Sequence, residues 1–432
     1  MSRTDDDLAL LYTGALVPDN PLATHDQREL ESLAITLVRT PEVAAARARA
    51  ALLWLSRMRR RPSSEAMACF EEAVAEHAFH SALNAANSDS GRPRVLKVQG
   101  EPHRWFGMDV PGARRGGNNP DNAYRIIPVD GSGSFEIIGE RHASPPTDVT
   151  VTLIANTAMS KTVRTLEQRD ITVDKDGLFR ITIDPHPARA RRNHLQSTPD
   201  SHYLFVRDTL TDWTRQRANR LVARRLDTPP EPPDFGEMVR RAAAFTDADA
   251  AYYWDMCMGQ SYGFPVNTVP PVRNAGAFGG LVSQSGSTGH LRIDDDEAFI
   301  VTVTQGRASY LSFAMHDPWW RTLAFAPHTA SLNNAQFKPD ADGAVTFVVA
   351  TSDPGVHNWI DTSGCHEGIF YLRWQGLPPE DDAPPIVHDF RLVKRTVLET
   401  CLPHGVARIT PEGRAAQHAA RTASVGAWWR DS

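Results

Sequence analysis

Residues 340–373 read DADGAVTFVVATSDPGVHNWIDTSGCHEGIFYLR, and residues 174–207 read DKDGLFRITIDPHPARARRNHLQSTPDSHYLFVR. Each stretch begins with an Asp-x-Asp-Gly turn, continues into a strand-like run, and ends on an arginine at the same distance from its glycine. Each also contains an Asp-Pro turn and a later asparagine, although these interior matches need small shifts. Self-similarity at this length is typical of a repeated structural unit, so we interpret the pair as an internal duplication.

The residues around the two copies favour short β-strands. From about residue 95, apolar residues alternate with polar ones in runs such as YRIIPVDG, GSFEIIGE and DVTVTLIAN, and turn residues separate the runs. Sheets of many short strands bury alternate side chains against a second sheet. The sequence therefore predicts a mainly β protein with helical additions: two duplicated antiparallel β-sandwiches of jelly-roll type and an N-terminal helical domain.

The predicted organisation has five parts. In the first part, Thr40 and Pro41 form a typical helix start, and apolar residues then recur at helical spacing. LDTPPEPPDFG is a stiff proline-rich stretch between the two sets of strands. The parts are an N-terminal helical domain (1–90), a first β-sandwich (91–226), a proline-rich linker and helix (227–265), a second β-sandwich (266–395) and a C-terminal tail with a short helix (396–432).

Composition excludes several classes of function. A formal net charge of -6 over 432 residues gives no overall attraction to nucleic acid. The start of the chain is acidic and lacks a signal peptide's basic and apolar regions, and no stretch of about 18 apolar residues occurs. The 4 cysteines form no CxxC pair. We expect a cytoplasmic protein with reduced thiols and with neither a nucleic-acid nor a membrane partner.

The second copy resembles the C-terminal part of the DUF1214 family. The resemblance lies in the Asp342-Gly343 turn, the Asn358-Trp359-Ile360 loop with isoleucine where leucine is usual, and Arg373. The upstream segments DDDEAFIVTVTQGRASYLSFAMHDPWWRTLAF and SLNNAQ are also similar to a subgroup of that family. The resemblance covers about residues 118–394 and implies a β-sandwich. It implies no reaction, because the family is named for lacking an assigned function.

Signatures of common cofactors and metals are absent from the sequence. HExxH, the P-loop and GxGxxG do not occur. The string GQSYG (259–263) follows a predicted helix, whereas a nucleophile elbow needs a strand before its serine. His186, His194 and His202 fall in a segment whose prolines and arginines indicate a loop. We predict no cofactor and no metal.

Three polar and aromatic constellations are candidates for a site. The first, HRWFGMDVPGARRGGNNPDNAYR, could equally be an ordinary Asn/Asp turn. In the second, SFAMHDPWW, the alternative is that both tryptophans pack under the N-terminal helices. The third is SDPGVHNWIDTSGCHEG together with SLNNAQ, which could simply stabilise a wide loop. The predicted substrate-binding residues are Arg104, Trp105, Asn118, Asp121, Asn122, Trp319, Trp320, Asn333, Asn334, His357, Trp359 and Asp361.

The duplication separates expected structural residues from functional ones. Asn193 and Asn358 occur in both copies and are expected to be structural. The matched arginines, Arg207 and Arg373, are expected to brace their own sandwiches. Trp359 and Asp361 have no such counterparts and are expected to be specific to function.

The combination of aromatic and titratable residues predicts a cofactor-independent lyase, isomerase or hydrolase. It would act by acid-base chemistry on an apolar, oxygen-bearing small molecule in an aromatic-lined cleft. The alternatives are a non-catalytic β-sandwich that binds a carbohydrate or metabolite, and an assembly protein; a homodimer is compatible with these hypotheses. The predicted catalytic residues are His316 as acid or base, Asp317 as its partner or a second acid-base group, and Tyr124 with Arg125 as substrate polarisers.

Overall fold

The computed structural model describes residues 3–156, 161–278, 281–378 and 385–427. Five helices precede the strands, as the helical spacing predicts, and Ser63 caps the fourth by accepting the Ala66 amide. The helices are α1 (Arg3–Thr13), α2 (His25–Leu37), α3 (Pro41–Arg57), α4 (Ser64–Ala68), α5 (Phe70–Ala86), α6 (Phe235–Tyr253), α7 (Gly259–Gly263), α8 (Leu398–Cys401) and α9 (Pro411–Gly426). A π-helical segment, Trp254–Met258, joins α6 to α7.

The first set of strands forms a two-layer sandwich and a small hairpin. Its strands are β1 (Leu96–Lys97), β2 (His103–Trp105), β3 (Met108–Val110), β4 (Asn122–Pro128), β5 (Phe135–Glu140), β6 (Asp148–Ile154), β7 (Thr162–Glu167), β8 (Leu178–Asp184), β9 (His194–Gln196), β10 (Tyr203–Thr209) and β11 (Arg220–Arg225). A five-stranded sheet has the order β1-β4-β10-β6-β7, and a four-stranded sheet has the order β11-β5-β8-β9. Strands β2 and β3 pair separately.

The second set repeats this arrangement strand for strand. Its strands are β12 (Arg273–Asn274), β13 (Ser285–Arg292), β14 (Glu297–Val303), β15 (Tyr310–His316), β16 (Ser331–Asn333), β17 (Val345–Ala350), β18 (Trp359–Asp361), β19 (Glu367–Gln375) and β20 (Val387–Lys394). The sheet orders are β12-β13-β19-β15-β16 and β20-β14-β17-β18. The predicted fold class is confirmed, and the equal strand orders support the duplication. Each copy also contains one parallel pair, β8 with β9 and β17 with β18, within otherwise antiparallel sheets.

The matched turn and asparagine play the same backbone roles in both copies. Gly177 and Gly343 have φ values of 83° and 86°, a conformation that glycine adopts without steric cost. Asn193 exchanges two side-chain hydrogen bonds with the backbone of Thr172, and Asn358 makes the same pair with Lys338. The prediction that this asparagine is structural is confirmed.

The matched arginines differ in their contacts. Arg207 lies over the Phe205 ring, 4.3 Å from its centroid, and donates to Thr152 Oγ1 within its own sandwich. Arg373 lies over Tyr371 in the equivalent way but donates to the carbonyl of Gly117, which precedes the first sandwich's β4. Arg207 therefore braces its own sandwich as predicted, whereas Arg373 contacts its own sandwich through Tyr371 and also joins the two halves of the chain.

The helices cover the outer faces of both five-stranded sheets. One hydrophobic cluster unites α2, α5 and α6 with side chains of β4 and β10, and a second unites α3, α5 and α6 with Trp319, Trp320 and Ile369. Strands β4 and β15 are consequently buried along their whole lengths, since one face packs inside a sandwich and the other meets helices or loops. The N-terminal helices thus share their core with the sheets, and the predicted domain boundaries stay predictions.

A search of the described helices found none with both the length and the apolar character needed to cross a membrane.

We expect Asn358→Ala and Asn193→Ala each to lower the free energy of unfolding by roughly 1–3 kcal/mol, because each removes two hydrogen bonds from a buried side chain to the backbone of a neighbouring segment. Urea denaturation measures this change. Glu231→Ala, at an exposed position in the linker, serves as the control and should change stability little. Unchanged stability in both asparagine variants would contradict the structural role.

Candidate functional site

Residues 116–121, which we call the bridging loop, lie at the seam between the two sandwiches. The amide of Gly117 donates to the Trp320 carbonyl at 3.0 Å, and its own carbonyl accepts from Arg373 at 2.9 Å. Gly117 has a φ of 64°, and a Cβ there would lie 2.8 Å from the Trp320 ring. Only glycine therefore allows the loop to approach the second sandwich this closely.

Asp121 anchors the end of the bridging loop. Its carboxylate accepts hydrogen bonds from Tyr310 Oη at 2.5 Å, Asn333 Nδ2 at 2.7 Å and Trp213 Nε1 at 2.8 Å. The side chain is fully enclosed, at 1% exposure. Burial raises the pKa of Asp121, and the three donors oppose that rise. The carboxylate thus connects β15, β16 and the segment after β10.

The loop's two asparagines are fixed by the surrounding polar residues. His316 Nε2 donates to the Asn118 carbonyl at 3.1 Å, and the Asn118 side chain exchanges hydrogen bonds with Thr322. The Asn119 amide donates to Tyr124 Oη at 3.0 Å. These contacts fix the backbone of the loop at both residues and the direction of the Asn118 side chain.

The bridging loop forms one wall of an inner cavity of about 60 Å³, which is space for roughly four or five water-sized groups. Polar and ionisable side chains from the strand segment around β1 face apolar ones from three other segments. Two buried acceptors of the lining, Asn122 Oδ1 and Glu101 Oε1, have no hydrogen-bond partner among the described residues. Residues of the lining include Leu22, Lys97, Gln99, Glu101, Asn118, Asn119, Asn122, Leu210, Arg217 and Phe325.

Two ionisable residues of the inner cavity have pKa values close to neutrality. Burial lowers the pKa of Lys97 to about 8, against the opposing charges of Glu31 and Glu101. Burial also raises the pKa of Glu101 to about 7, partly offset by the charge of Arg114. One cavity therefore holds two groups that can each gain or lose a proton near pH 7.

Many of the residues predicted from sequence do converge on this region. Of these, only Asn118 and Asn122 line the inner cavity. Asp121, Tyr124, His316 and Asn333 lie behind the wall and bond to the bridging loop or to each other. Their observed contacts hold the bridging loop in place.

The predicted partnership of His316 with Asp317 is not formed. Asp317 accepts instead from Arg321 Nε at 2.8 Å, and Arg321 also pairs with Glu76 of α5 at 2.8 Å. Successive strand residues point to opposite faces, which separates the two side chains. His316 is fully enclosed, and burial lowers its pKa to about 4, so it is neutral at pH 7.

Arg125 does not polarise a ligand beside Tyr124, because it points into the first sandwich. Its guanidinium pairs with Asp208 at 2.6 Å and donates to the Asn219 carbonyl. Both side chains are buried, so this pair compensates its own charges in the interior.

The prediction of one cleft lined by tryptophans is wrong. The four tryptophans lie in three separate hydrophobic clusters. Trp105 packs with the helices and donates to Glu31 Oε2, while Trp319 packs under α4 and α5 and donates to the Ala66 carbonyl. Trp320 borders a different cavity of about 280 Å³. Trp359 donates to the Ala350 carbonyl, on the other side of the second sandwich.

The remaining predicted residues do not border the inner cavity. Arg104 is exposed on the β2–β3 hairpin, 3.8 Å from Asp109. Asn334 donates to the Ser309 carbonyl, and His357 contacts the Gln336 carbonyl. Asp361 accepts from His328 Nδ1 at 2.8 Å. These residues thus lie apart from one another on separate parts of the two sandwiches, and each makes its own local contacts.

The three sequence segments that were candidates for a site did not include Lys97 and Glu101. Their signal in the sequence was weak: the run RVLKVQGE places one lysine at the centre of an apolar strand. A charged residue at such a position needs a partner or a function when it is buried. Only the tertiary fold shows that it is buried.

No strong metal or nucleophile site accompanies the inner cavity. Among the described residues, the one acidic group close enough to share a cation is Asp294, Asp296 and Glu297, which is largely exposed and is paired with Lys394. Ser261 of the GQSYG string is buried in helical backbone, where its Oγ accepts from Trp320 Nε1. This agrees with the expectation that it is not a nucleophile elbow.

Comparisons with known proteins identify the fold alone. No protein-family model and no curated protein matches the chain. The crystal structure of an uncharacterized protein from Burkholderia cenocepacia is similar, with a TM-score of 0.70 and 22% identity over 84% of this chain and 99% of that chain. The VPA0106 protein from Vibrio parahaemolyticus gives a TM-score of 0.40 and 11% identity over 64% of this chain and 90% of that one, which supports no conclusion.

We expect Asp121→Ala to destabilise the protein by about 3–5 kcal/mol, because it removes the buried acceptor of three side-chain hydrogen bonds. Chemical denaturation provides the measurement. Asp109→Ala removes a carboxylate from an exposed pair and should cost less than about 0.5 kcal/mol. Equal effects of the two substitutions would contradict the anchoring role of Asp121.

His316 should make stability depend on pH. Its folded pKa of about 4 lies below the unfolded value of 6.5, so the unfolded state takes up a proton first. The stability that the neutral ring provides is present above pH 6.5 and is lost as pH falls towards 4, by up to about 1.4 kcal/mol per pH unit. The stability difference between wild type and His316→Gln, measured by urea titration from pH 7.5 to 4.5, should follow this curve.

The control is His366→Gln. His366 is largely exposed, and hydrogen bonding to Asp295 raises its pKa. Its contribution should therefore be greatest at low pH and fall as pH rises, the opposite sign to that of His316. A His316 difference that is independent of pH would contradict a buried neutral ring.

Proposed function

We propose that the protein is an enzyme that acts on a small molecule by acid-base chemistry in the inner cavity, with Lys97 and Glu101 as the proton-transferring groups. The observation that carries this proposal is geometric: both side chains line one small cavity together with the amides of Asn118, Asn119 and Asn122. A few placed polar groups in a largely apolar pocket are typical of a small-molecule site.

The electrostatics of the cavity support proton transfer. General acids and bases work best when their pKa values lie near the working pH, and the pKa values of about 7 for Glu101 and about 8 for Lys97 meet that condition. One oxygen of Glu101 has no partner among the described residues, so a substrate proton can reach it without breaking a hydrogen bond. Gln99, between them, has a φ of 61°, a strained conformation for a non-glycine residue.

Asn122 supplies orientation. Asn118 and Asn119 use their side-chain amides in hydrogen bonds to other protein groups, so these two residues give the wall of the cavity a fixed shape. Asn122 Nδ2 donates to Tyr124 Oη, while its unpartnered Oδ1 can accept from a substrate hydroxyl. A lyase, isomerase or hydrolase reaction on an oxygen-bearing molecule fits these groups.

The proposal keeps the reaction class expected from the sequence and moves its chemistry to residues that the sequence did not single out. Membership of the DUF1214 family likewise stays a proposal, which rests on the second copy's motifs. A cytoplasmic location, a small-molecule substrate and the absence of a cofactor are further expectations of the same proposal.

Stability tests the two residues without knowledge of the substrate. Glu101 has a folded pKa of about 7 against 4.5 unfolded, so its stabilising contribution is present below pH 4.5 and is lost as pH rises to 7. Glu101→Gln should therefore be more stable than wild type above pH 7, by roughly 1–3 kcal/mol, and nearly equal to it at pH 5. Glu231→Gln, at an exposed position, is the control and should show no such pH dependence.

Turnover tests the chemistry. Wild-type protein incubated with a metabolite extract should deplete at least one compound, followed by mass spectrometry, and the rate should peak between about pH 7 and 8. Glu101→Gln and Lys97→Met should each lower the rate at least about 100-fold, while the exposed Lys338→Met should not. Binding of a compound without turnover by wild type would favour the non-catalytic alternative.

A further inference from the structure

A second cavity, which we call the basic cleft, adjoins the inner cavity. Its volume is about 430 Å³, much larger than that of the inner cavity. It lies where the segment after α1 meets the end of β5 and the start of β11. Its charged lining residues are Arg141, Arg215, Arg217, Arg220, Asp19 and Glu140.

The two cavities share part of their lining. Asp19, Pro21, Arg217 and Ala218 line both of them. Arg217 thus places a cation beside both cavities, and a molecule that reaches from one into the other would pass this arginine.

The cleft has an excess of positive charge. Four arginines face two carboxylates, and one of the two, Glu140, already accepts a hydrogen bond from Tyr12 Oη at 2.9 Å. Arg141 and Arg217 have no carboxylate within ion-pair distance among the described residues, and the Arg217 guanidinium donates to two backbone carbonyls. Arg215 and Arg220 each have a carboxylate at 3.8–3.9 Å, so the excess positive charge comes from the other two arginines, and such an excess in a concave site favours an anion.

Arg220 gives the cleft a rigid floor. Its guanidinium lies 4.2 Å from the centroid of the Tyr12 ring and donates through Nη2 to the Pro18 carbonyl. The residue is 6% exposed, and its Nε lies 3.8 Å from the Glu140 carboxylate. These contacts fix the guanidinium in one position at the base of the cleft.

We propose that the basic cleft binds the anionic group of the substrate, a carboxylate or a phosphate monoester, while the substrate's smaller apolar part enters the inner cavity. This inference rests on the proposed function for its statement that the anion belongs to a substrate. Anion binding itself can be measured without any turnover. Bidentate contacts from arginines suit both kinds of oxyanion. The proposal narrows the substrate class to small anionic, oxygen-bearing molecules.

Calorimetric titration with inorganic phosphate and with acetate, at constant ionic strength set by chloride, tests the proposal. We expect saturable binding of at least one of them to wild type, weakened at least tenfold in the double variant Arg141→Gln/Arg217→Gln. The Arg192→Gln variant, which changes an exposed arginine outside the cleft, should bind as wild type does. Preference for phosphate would indicate a phosphate monoester, and preference for acetate a carboxylate.

Absence of saturable binding of both anions, or equal binding by the double variant, would overturn the proposal. Thermal melting confirms that each variant folds; if the double variant does not, the single Arg141→Gln variant, with its partly exposed side chain, is expected to weaken binding at least threefold. Glu101→Gln should bind the anion normally. Arginine-dependent binding without any effect of Glu101→Gln on turnover would therefore reject the proposed catalysis alone.

Discussion

The carboxylate of Asp121 lies where three segments of the chain meet, and its burial makes their arrangement specific. A buried carboxylate is costly unless donors surround it, and here the donors come from Trp213, Tyr310 and Asn333. The backbone carbonyl of Asp121 also accepts the Leu210 amide at 2.7 Å. Since the donors belong to both sandwiches, a shift of one sandwich against the other would leave several polar groups unpaired. The bridging loop and the inner cavity behind it depend on this constraint.

The duplication supplies two similar scaffolds whose differences create the site. Both sandwiches have the same strand order, the same turn glycine and the same asparagine bonds. They differ in what covers their five-stranded sheets: the first packs on α2, α5 and α6, and the second packs on Trp319 and Trp320 beneath the helices. The bridging loop lies in the seam between them, and Arg373 donates a hydrogen bond to its backbone. An arginine inherited at a matched position thus performs an inter-sandwich task in one copy only.

The distribution of ionisable groups separates support from candidate chemistry. Asp317, Arg321 and Glu76 form a compensated buried network, as do Arg125 and Asp208. Lys97 and Glu101 instead lie at the cavity surface, where burial moves both pKa values towards neutrality. The adjoining basic cleft has the opposite character, with guanidinium groups in excess over carboxylates. The proposed anionic substrate fits this change from exposed positive charge in the basic cleft to an enclosed pair of ionisable groups in the inner cavity.

The strands, the turns at Gly177 and Gly343, and the structural role of Asn193 and Asn358 could be predicted from the sequence, because these features depend on local backbone chemistry that adjacent residues specify. It also singled out the polar segment around Asn118 and Asn122, which lies in the wall of the inner cavity. The contacts of each side chain, in contrast, follow from the three-dimensional fold. Asp121 meets Tyr310, and Lys97 shares a cavity with Phe325, across separations far beyond any local pattern. Burial and charge compensation arise from such distant contacts, so the sequence could name polar residues but could not show which of them are buried with partners and which line a cavity.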